Sequence, residues 1–356
     1  MTTDATNQYL KQKIWQSYAP YYYDVFINMA TPTVSMAFDW LQSESSNTLY
    51  QQDFVIGSPH GNGVSVGRVL LPKESSVVKQ TDYINGTIGY YDIPTGYEKV
   101  RLSKQIHIID DVNRIRHIPN TSKVLLQSGG KQTSILDVES EKYDVVGKQT
   151  DEGFGLSLCE SDANQFVTST NDGFCFFWDL KMLKCSKVRV DKVNDVDWSS
   201  INSCIAAVTD RGEIVLIDEK SKNVTPVKVG SGMNCCSFSR LVTHVLATGD
   251  VDGIVKLWDI RTLERPLYTL TKHKDAINVI QFSPHLPNLL MAGSKDSTIN
   301  IFNLAHVGTT KDVAFTHAGH SFDIMESRWN PDICGFVGSV AEEFNVHIWR
   351  SADVFN

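Results

Sequence analysis

This sequence has little of what marks a secreted, membrane-spanning or nucleic-acid-coating protein. No stretch of its 356 residues approaches the ~18 consecutive apolar residues that a membrane span needs. The first residues, MTTDATNQYLKQK, contain no apolar leader core. The seven cysteines are odd in number and scattered, with no C-x-x-C, so a disulfide framework is not expected. Cys159, Cys175, Cys204 and Cys235 lie in apolar runs, where a free thiol packs as a small hydrophobe. A reducing compartment follows, and a soluble, unsecreted chain. Basic excess is missing too: Lys plus Arg number 33 against 41 Asp plus Glu, a formal charge of −8. That balance disfavours direct binding of nucleic acid, which needs a basic stripe, and suits a cationic protein partner.

Catalytic signatures are equally scarce. The glycine-rich pieces SGGKQT (128–133) and GNGVSVG (61–67) do not complete a phosphate-binding loop before a helix, and both fall where hairpin turns are expected. G-x-S-x-G is absent. HAGH (317–320) offers two histidines with no third ligand near them in sequence. No enzyme activity, cofactor or metal is expected.

What the sequence does contain is a repeat. LATGDVDGIVKLWDI (246–260) reads as a short hairpin, with Gly249 and Asp252-Gly253 as turns and apolar residues on alternate positions. Related stretches are FVTSTNDGFCFFWDL, LLMAGSKDSTINIFNL, IAAVTDRGEIVLIDEK, VLLQSGGKQTSILDVE, FVGSVAEEFNVHIWR and a degraded FVIGSPHGNGVSVGRVLLP. The position of Trp258 is held by Leu136, Trp178, Ile217, Phe302 and Trp349 in the clearer copies. A period near ~40–45 residues, with four short strands and a Trp-Asp ending, is the mark of WD-repeat propeller blades. The expected fold is all-β: a seven-bladed propeller over 32–356, preceded by a helix region over 1–31. Leu10, Ile14, Trp15 and Tyr18 have helical spacing, and Pro20 should end or bend that helix. That helix is expected to pack on the side of the ring. A strand from PTVSMAFDWLQ is expected to complete the last blade. His273 is placed to meet Asp296 in the structural bond common in such repeats.

Several motifs resemble one family, the retinoblastoma-binding, histone-binding WD-repeat proteins. They are KIWQSYAPYYYDV, DDVNRIRHIP, DEGFGLS, LATGDVDGIVKLWDIRTL, HKDAINVIQFSPH and FTHAGHSFDIMESRWNP, in family order from Lys13 to the C-terminus. Members are small subunits of chromatin assembly factor, type B histone acetyltransferase, and deacetylase, remodelling and Polycomb complexes. The resemblance implies a scaffold that binds the tetramer-forming core histones, works beside other chromatin subunits, acts in the nucleus and also the cytoplasm, and is monomeric on its own. It implies two sites. A side groove for a histone helix falls on Tyr21, Tyr22, Val25, Phe26, Asp312, Val313 and Phe315. A channel-mouth site for basic tails falls on Asp111, Asn113, Arg114, Glu152, Phe154, Asn234 and Glu342. Two departures stand out. The family's long acidic loop is replaced by the short AHVGTTKDVAFTHAGH, with Asp312 its only acid. Asn194, Gly232 and Ala276 stand where the family mostly has acids. The alternative from the residues themselves is a ubiquitin-ligase substrate receptor, suggested by W-D-x-R ending at Arg261.

Overall fold

The computed structural model describes residues 3–46, 48–59, 61–73, 86–89, 93, 96–352 and 354. Seven antiparallel sheets form seven blades. Blade 2 shows the plan: Val112–His117 is the inner strand, followed outward by Lys123–Ser128, Gln132–Asp137 and Lys142–Lys148. Each inner strand touches the inner strands of both neighbours, and Ala37–Ser45 of blade 1 touches Ile324–Trp329 of blade 7, so the ring closes.

A single blade cannot stand alone, because both faces of its sheet are apolar. The buried side chains resolve into seven clusters among the described residues, and each lies between two adjacent blades. Trp178, Trp258, Phe302, Trp349, Leu136 and Ile217, the recurring positions of the repeat, are all buried in these seams. Where the residue is Trp, its indole N–H is also satisfied. Trp178 donates to Thr168, Trp258 to Thr248 (both 2.9 Å) and Trp349 to Ser339 (3.2 Å). His273 does meet Asp296, at 3.0 Å.

Gly249 is not a turn residue. It lies within the strand Val245–Asp250 and faces the next blade: a Cβ there would sit 2.5 Å from Ile277 Cγ2. Gly57 and Gly293 hold the same place against Val112 and Ile324. Second-strand glycines thus let the next blade's first β-branched residue approach. The turn itself is made by Asp250, whose carboxylate accepts from the amides of Asp252 (3.0 Å) and Ile254 (2.8 Å), with Gly253 at φ +78°.

The helix α1 (Thr3–Tyr22) runs through Pro20 and ends two residues later. Among the described residues, Trp15 and Ala19 seat it on the ring; Leu10, Ile14 and Tyr18, expected on its packed side, are 51%, 59% and 59% exposed. The strand that completes blade 7 is β1 (Tyr23–Ala30), not the PTVSMAFDWLQ segment, which supplies β2 (Ala37–Ser45) at the heart of blade 1. Strand β1 therefore crosses the expected boundary between helix region and propeller. It pairs with Asn345–Ser351 in a register that sets Phe26 against Trp349, and the two-residue strand Thr87–Ile88 covers part of its outer edge. Val25, Ile27 and Met29 enter the seam with blade 1, while Tyr23 and Phe26 enter the seam with blade 6, a register shift between Tyr23 and Val25 interrupting the alternation, so the strand is buried on both faces.

This closure is testable by equilibrium unfolding. Phe26→Ala removes a fully buried ring from the joint and should cost about 3–5 kcal/mol. Tyr21→Ala, at a residue 69% exposed, should stay within about 0.5 kcal/mol. Equal effects would contradict β1 as the closing strand.

Candidate protein-binding surfaces

The loops before the inner strands and the hairpins between second and third strands converge at one end of the channel. On blades 2 and 3 they bring Asp110 and Asp111 against Gly130 and Gly129, and Asp151, Glu152 and Asp172 near the cation of Lys131. Gly129 holds two of these acids close: a Cβ on it would lie 3.4 Å from Asp111 Cβ and 3.5 Å from Glu152 Oε1. Asn113 donates to Glu152 at 2.8 Å, and the Asn171 amide donates to the Glu152 carbonyl at 2.7 Å. Asp151 pairs with Lys131 at 2.9 Å, and that hydrogen bond lowers the Asp151 pKa and raises that of Lys131. Phe154 stands beside this acidic patch, 37% exposed.

Of the residues expected at the mouth, Asp111, Glu152 and Phe154 lie together at the surface, and Asn113, 9% exposed, holds Glu152 from beneath. Asn234 and Glu342 lie at the same end, on blades 5 and 7. Arg114 is different. It is 9% exposed, and its guanidinium is committed inside the channel: Nε to the Phe154 carbonyl at 2.8 Å, Nη1 to Glu326 at 2.7 Å. Its position corrects the reading of Arg114 as a face residue; it ties blade 2 to blade 7. Arg116 shares the same Glu326 oxygen at 3.1 Å. Burial alone would raise Glu326, but Arg116, Arg114 and Arg328 outweigh it and hold the carboxyl at about 2. Asp195, 3.9 Å from Arg114, is pushed up to about 6 by burial. Sequence reasoning missed Glu326. Its signal was a charge inside an inner strand, IMESRW, which is costly to bury unless paired.

A cavity lies on the side wall, but away from most of the residues expected to form the side groove. A cavity of about 1130 Å³ runs between α1 and the edge of blade 6, lined by Leu10, Lys11, Ile14 and Trp15 from the helix and by Lys272, Lys274 and Val313 facing it. Of the seven expected residues, only Val313 lines it. Tyr21 and Tyr22 are exposed elsewhere at the helix end. Val25 and Phe26 are fully buried because they belong to β1, and Phe315 packs 5.1 Å from the Tyr23 ring. Asp312 is 6% exposed and is held by Lys272 at 3.0 Å. These four are corrected to core positions. Leu10 and Ile14, expected on the packed side of the helix, line this cavity.

HAGH also has a third histidine beside it, contrary to expectation. His317, His320 and His347 are buried with ligand atoms within 4.8 Å of one another. Their geometry is that of packing. His320 and His347 stack at 3.9 Å and 15°, so their in-plane lone pairs run parallel instead of converging. His320 is engaged by Glu343 and by Ser339 (2.8 Å), while His317 bonds the Tyr23 hydroxyl (2.7 Å) and His347 (3.2 Å).

Known proteins share this geometry's sequence basis. Residues 11–73 match the family model for the histone-binding protein RBBP4 and its equivalent in the CAF1 complex, and residues 225–259 and 264–303 match "WD domain, G-beta repeat". The first match runs from within α1 through β1 to the third strand of blade 1, and so includes the helix and the closing strand that the repeat itself does not supply. Over these segments the chain is similar to the histone-binding WD-repeat family. Histone acetyltransferase type B subunit 2 of Candida glabrata is 22% identical, over 95% of this chain and 87% of the relative. The protein of the same name from Eremothecium gossypii is 24% identical, over 95% and 84%. Histone-binding protein MSI1 of Saccharomyces cerevisiae is 25% identical, over 63% of this chain and 56% of its own. Among the described residues no helix is long and apolar enough to cross a membrane.

The histidine cluster makes a pH prediction. Burial holds His317 and His347 well below the ordinary imidazole value of 6.5. Unfolded, both protonate near 6.5, so the unfolded chain takes up protons first. Stability should fall as pH drops below that value, by about 1.4 kcal/mol per pH unit per histidine. Urea midpoints measured at about pH 7.5 and about pH 5.5 should separate accordingly, and His347→Gln should shrink the separation. A variant with the wild-type pH dependence would contradict this.

Proposed function

We propose that this chain is a non-catalytic, histone-binding scaffold subunit of chromatin complexes, presenting histones to partner subunits. The observation that carries the reading is the acidic patch of blades 2 and 3, Asp111 and Glu152 against Gly129 beside an exposed Phe154, in a chain similar to the histone-binding family. Its chemistry fits an Arg- and Lys-rich tail: guanidinium–carboxylate pairs at Asp111 and Glu152, apolar stem packing on Phe154. The tetramer-forming core histones are the substrate class, the nucleus is the main compartment and the cytoplasm the second. The unit acts as a monomer within larger assemblies, without touching nucleic acid. "Subunit" in the relatives' names describes membership of an acetyltransferase, and a presenting role for this chain fits that name.

Nothing favours the ubiquitin-ligase reading. Arg261 folds back on Asp259 within its own turn, Nη2 to Oδ2 at 2.6 Å, an ordinary use of a blade-end arginine.

The test is binding of fluorescent tail peptides from the tetramer-forming histones. Asp111→Lys with Glu152→Lys should weaken binding roughly ten-fold or more, and the wild-type affinity should fall with salt. Glu342→Lys, across the channel, should do less. Absence of binding at physiological salt, or equal binding by the double variant, would overturn the proposal.

A further inference from the structure

The end of the channel opposite the mouth holds a cavity of about 270 Å³, lined by His117, Pro284 and Pro331 where inner strands finish. The guanidiniums of Arg114, Arg116, Arg240 and Arg328 stand in its wall among carboxylates. Most of these charges are already used. Asp39 accepts from the amides of Trp40 (3.0 Å) and His117 (2.8 Å). Asp197 accepts from the Phe238 amide (2.7 Å) and from Arg240 Nη2 (2.7 Å). Arg240 also donates to the Trp198 carbonyl (2.9 Å) and pairs with Glu160. The acids of the inner strands thus stitch neighbouring blades together through backbone amides.

Three groups are left over. Glu326 is fully buried, and Arg114 and Arg116 both occupy its Oε2; Oε1 has no partner. Arg328 Nε is buried without a hydrogen bond, 3.4 Å from the committed Asp39. Among the described residues Arg116 uses only Nη1, which donates to the Ile115 carbonyl (2.7 Å) and to Glu326. A buried acceptor left unpaired is costly. So are neighbouring guanidiniums: burial, and then the charge of Arg328, lower the pKa of Arg116.

The guest that answers both needs is an anion that accepts from two guanidiniums and donates one hydroxyl to Glu326. Water supplies the hydrogen bond but leaves the cations facing each other. Sulfate supplies the charge but sets a lone pair against the Glu326 carboxylate. Hydrogen phosphate does both. We propose that this end of the channel binds hydrogen phosphate, its charged oxygens held by Arg116 and Arg328 and its P–OH donating to Glu326 Oε1. Arg116 belongs to blade 2, and Arg328 and Glu326 to blade 7, so the bound anion bridges the blades on either side of blade 1. The site is separate from the mouth and stands whether or not the mouth takes a histone tail.

Isothermal titration calorimetry of the whole chain, at about pH 7.5 and constant ionic strength, compares inorganic phosphate, sulfate and methyl phosphate. Methyl phosphate stands for a phosphorylated side chain; with its second pKa near 6 it has largely lost its P–OH at that pH. Phosphate should bind one-to-one, and the other two roughly ten-fold or more weakly. Arg328→Met should weaken phosphate binding at least ten-fold, with circular dichroism checking its fold, and Lys11→Met on the side wall should leave it unchanged. Saturating phosphate should also raise the Tm of wild type but not of Arg328→Met. No saturable phosphate binding by folded wild type means that water alone fills the cavity, and overturns the proposal. Equal binding of sulfate or methyl phosphate overturns the role of the hydroxyl and of Glu326. Undiminished binding by Arg328→Met overturns the assignment to this cavity. If that variant does not fold, the comparison of the three anions on wild type decides.

Discussion

Everything in this fold depends on one constraint: each blade has two apolar faces and only its neighbours to cover them. The consequence is a core divided into seven seams instead of one centre. A ring of this kind has no free seam only if the first and last blades meet. Here β1 meets that need by joining the last strand of the chain, so the two termini stabilise the same joint. Trp349 and Phe26 face each other in register there, and His317, His320 and His347 fill the remaining space with hydrogen bonds. Pairing alone would not fix the ring. The inner strands are also tied across the channel by Arg114 and Arg116, which share one oxygen of the buried Glu326. Replacing one partner would strand the others in low dielectric, which is why such clusters specify geometry more than they add stability.

A closed ring leaves the rims and the side wall free for recognition. The mouth acids stand on loops positioned by rigid strands, and the groove lies beside a helix that the ring holds through Trp15 and Ala19. The two places lie apart on the ring and differ in charge, carboxylates at the mouth and Lys11, Lys272 and Lys274 beside α1. That arrangement is what a scaffold requires, and it uses binding chemistry only.

Much of this was legible in the sequence, and the misses have physical causes. The blade period, the seven wedges and the Trp positions were readable because each repeat must solve the same packing problem with similar residues. The mouth patch was partly readable because its loops precede recognisable inner strands. Arg114 was misplaced because sequence gives a residue's position on a strand but not the reach of a long side chain; Glu326 lies two blades' worth of ring away in the opposite direction along the chain. Gly249 looked like a turn because glycine serves both turns and close approaches, and only the facing Ile277 distinguishes them. The groove was the least legible. Leu10, Ile14 and Tyr18 form a helical stripe, and a stripe is normally the buried side. Here the helix turns Trp15 and Ala19 inward, and YDVF, read as helix surface, continues as a fully buried strand. Tertiary closure overrode local pattern at that point.

The central claim is that the acids at the channel mouth receive a cationic histone tail. Isothermal titration calorimetry of wild type and of Asp111→Lys with Glu152→Lys, against an Arg- and Lys-rich histone-tail peptide, tests it most directly. The expected result is one-to-one binding by wild type that the double variant loses. Equal binding by both would contradict it.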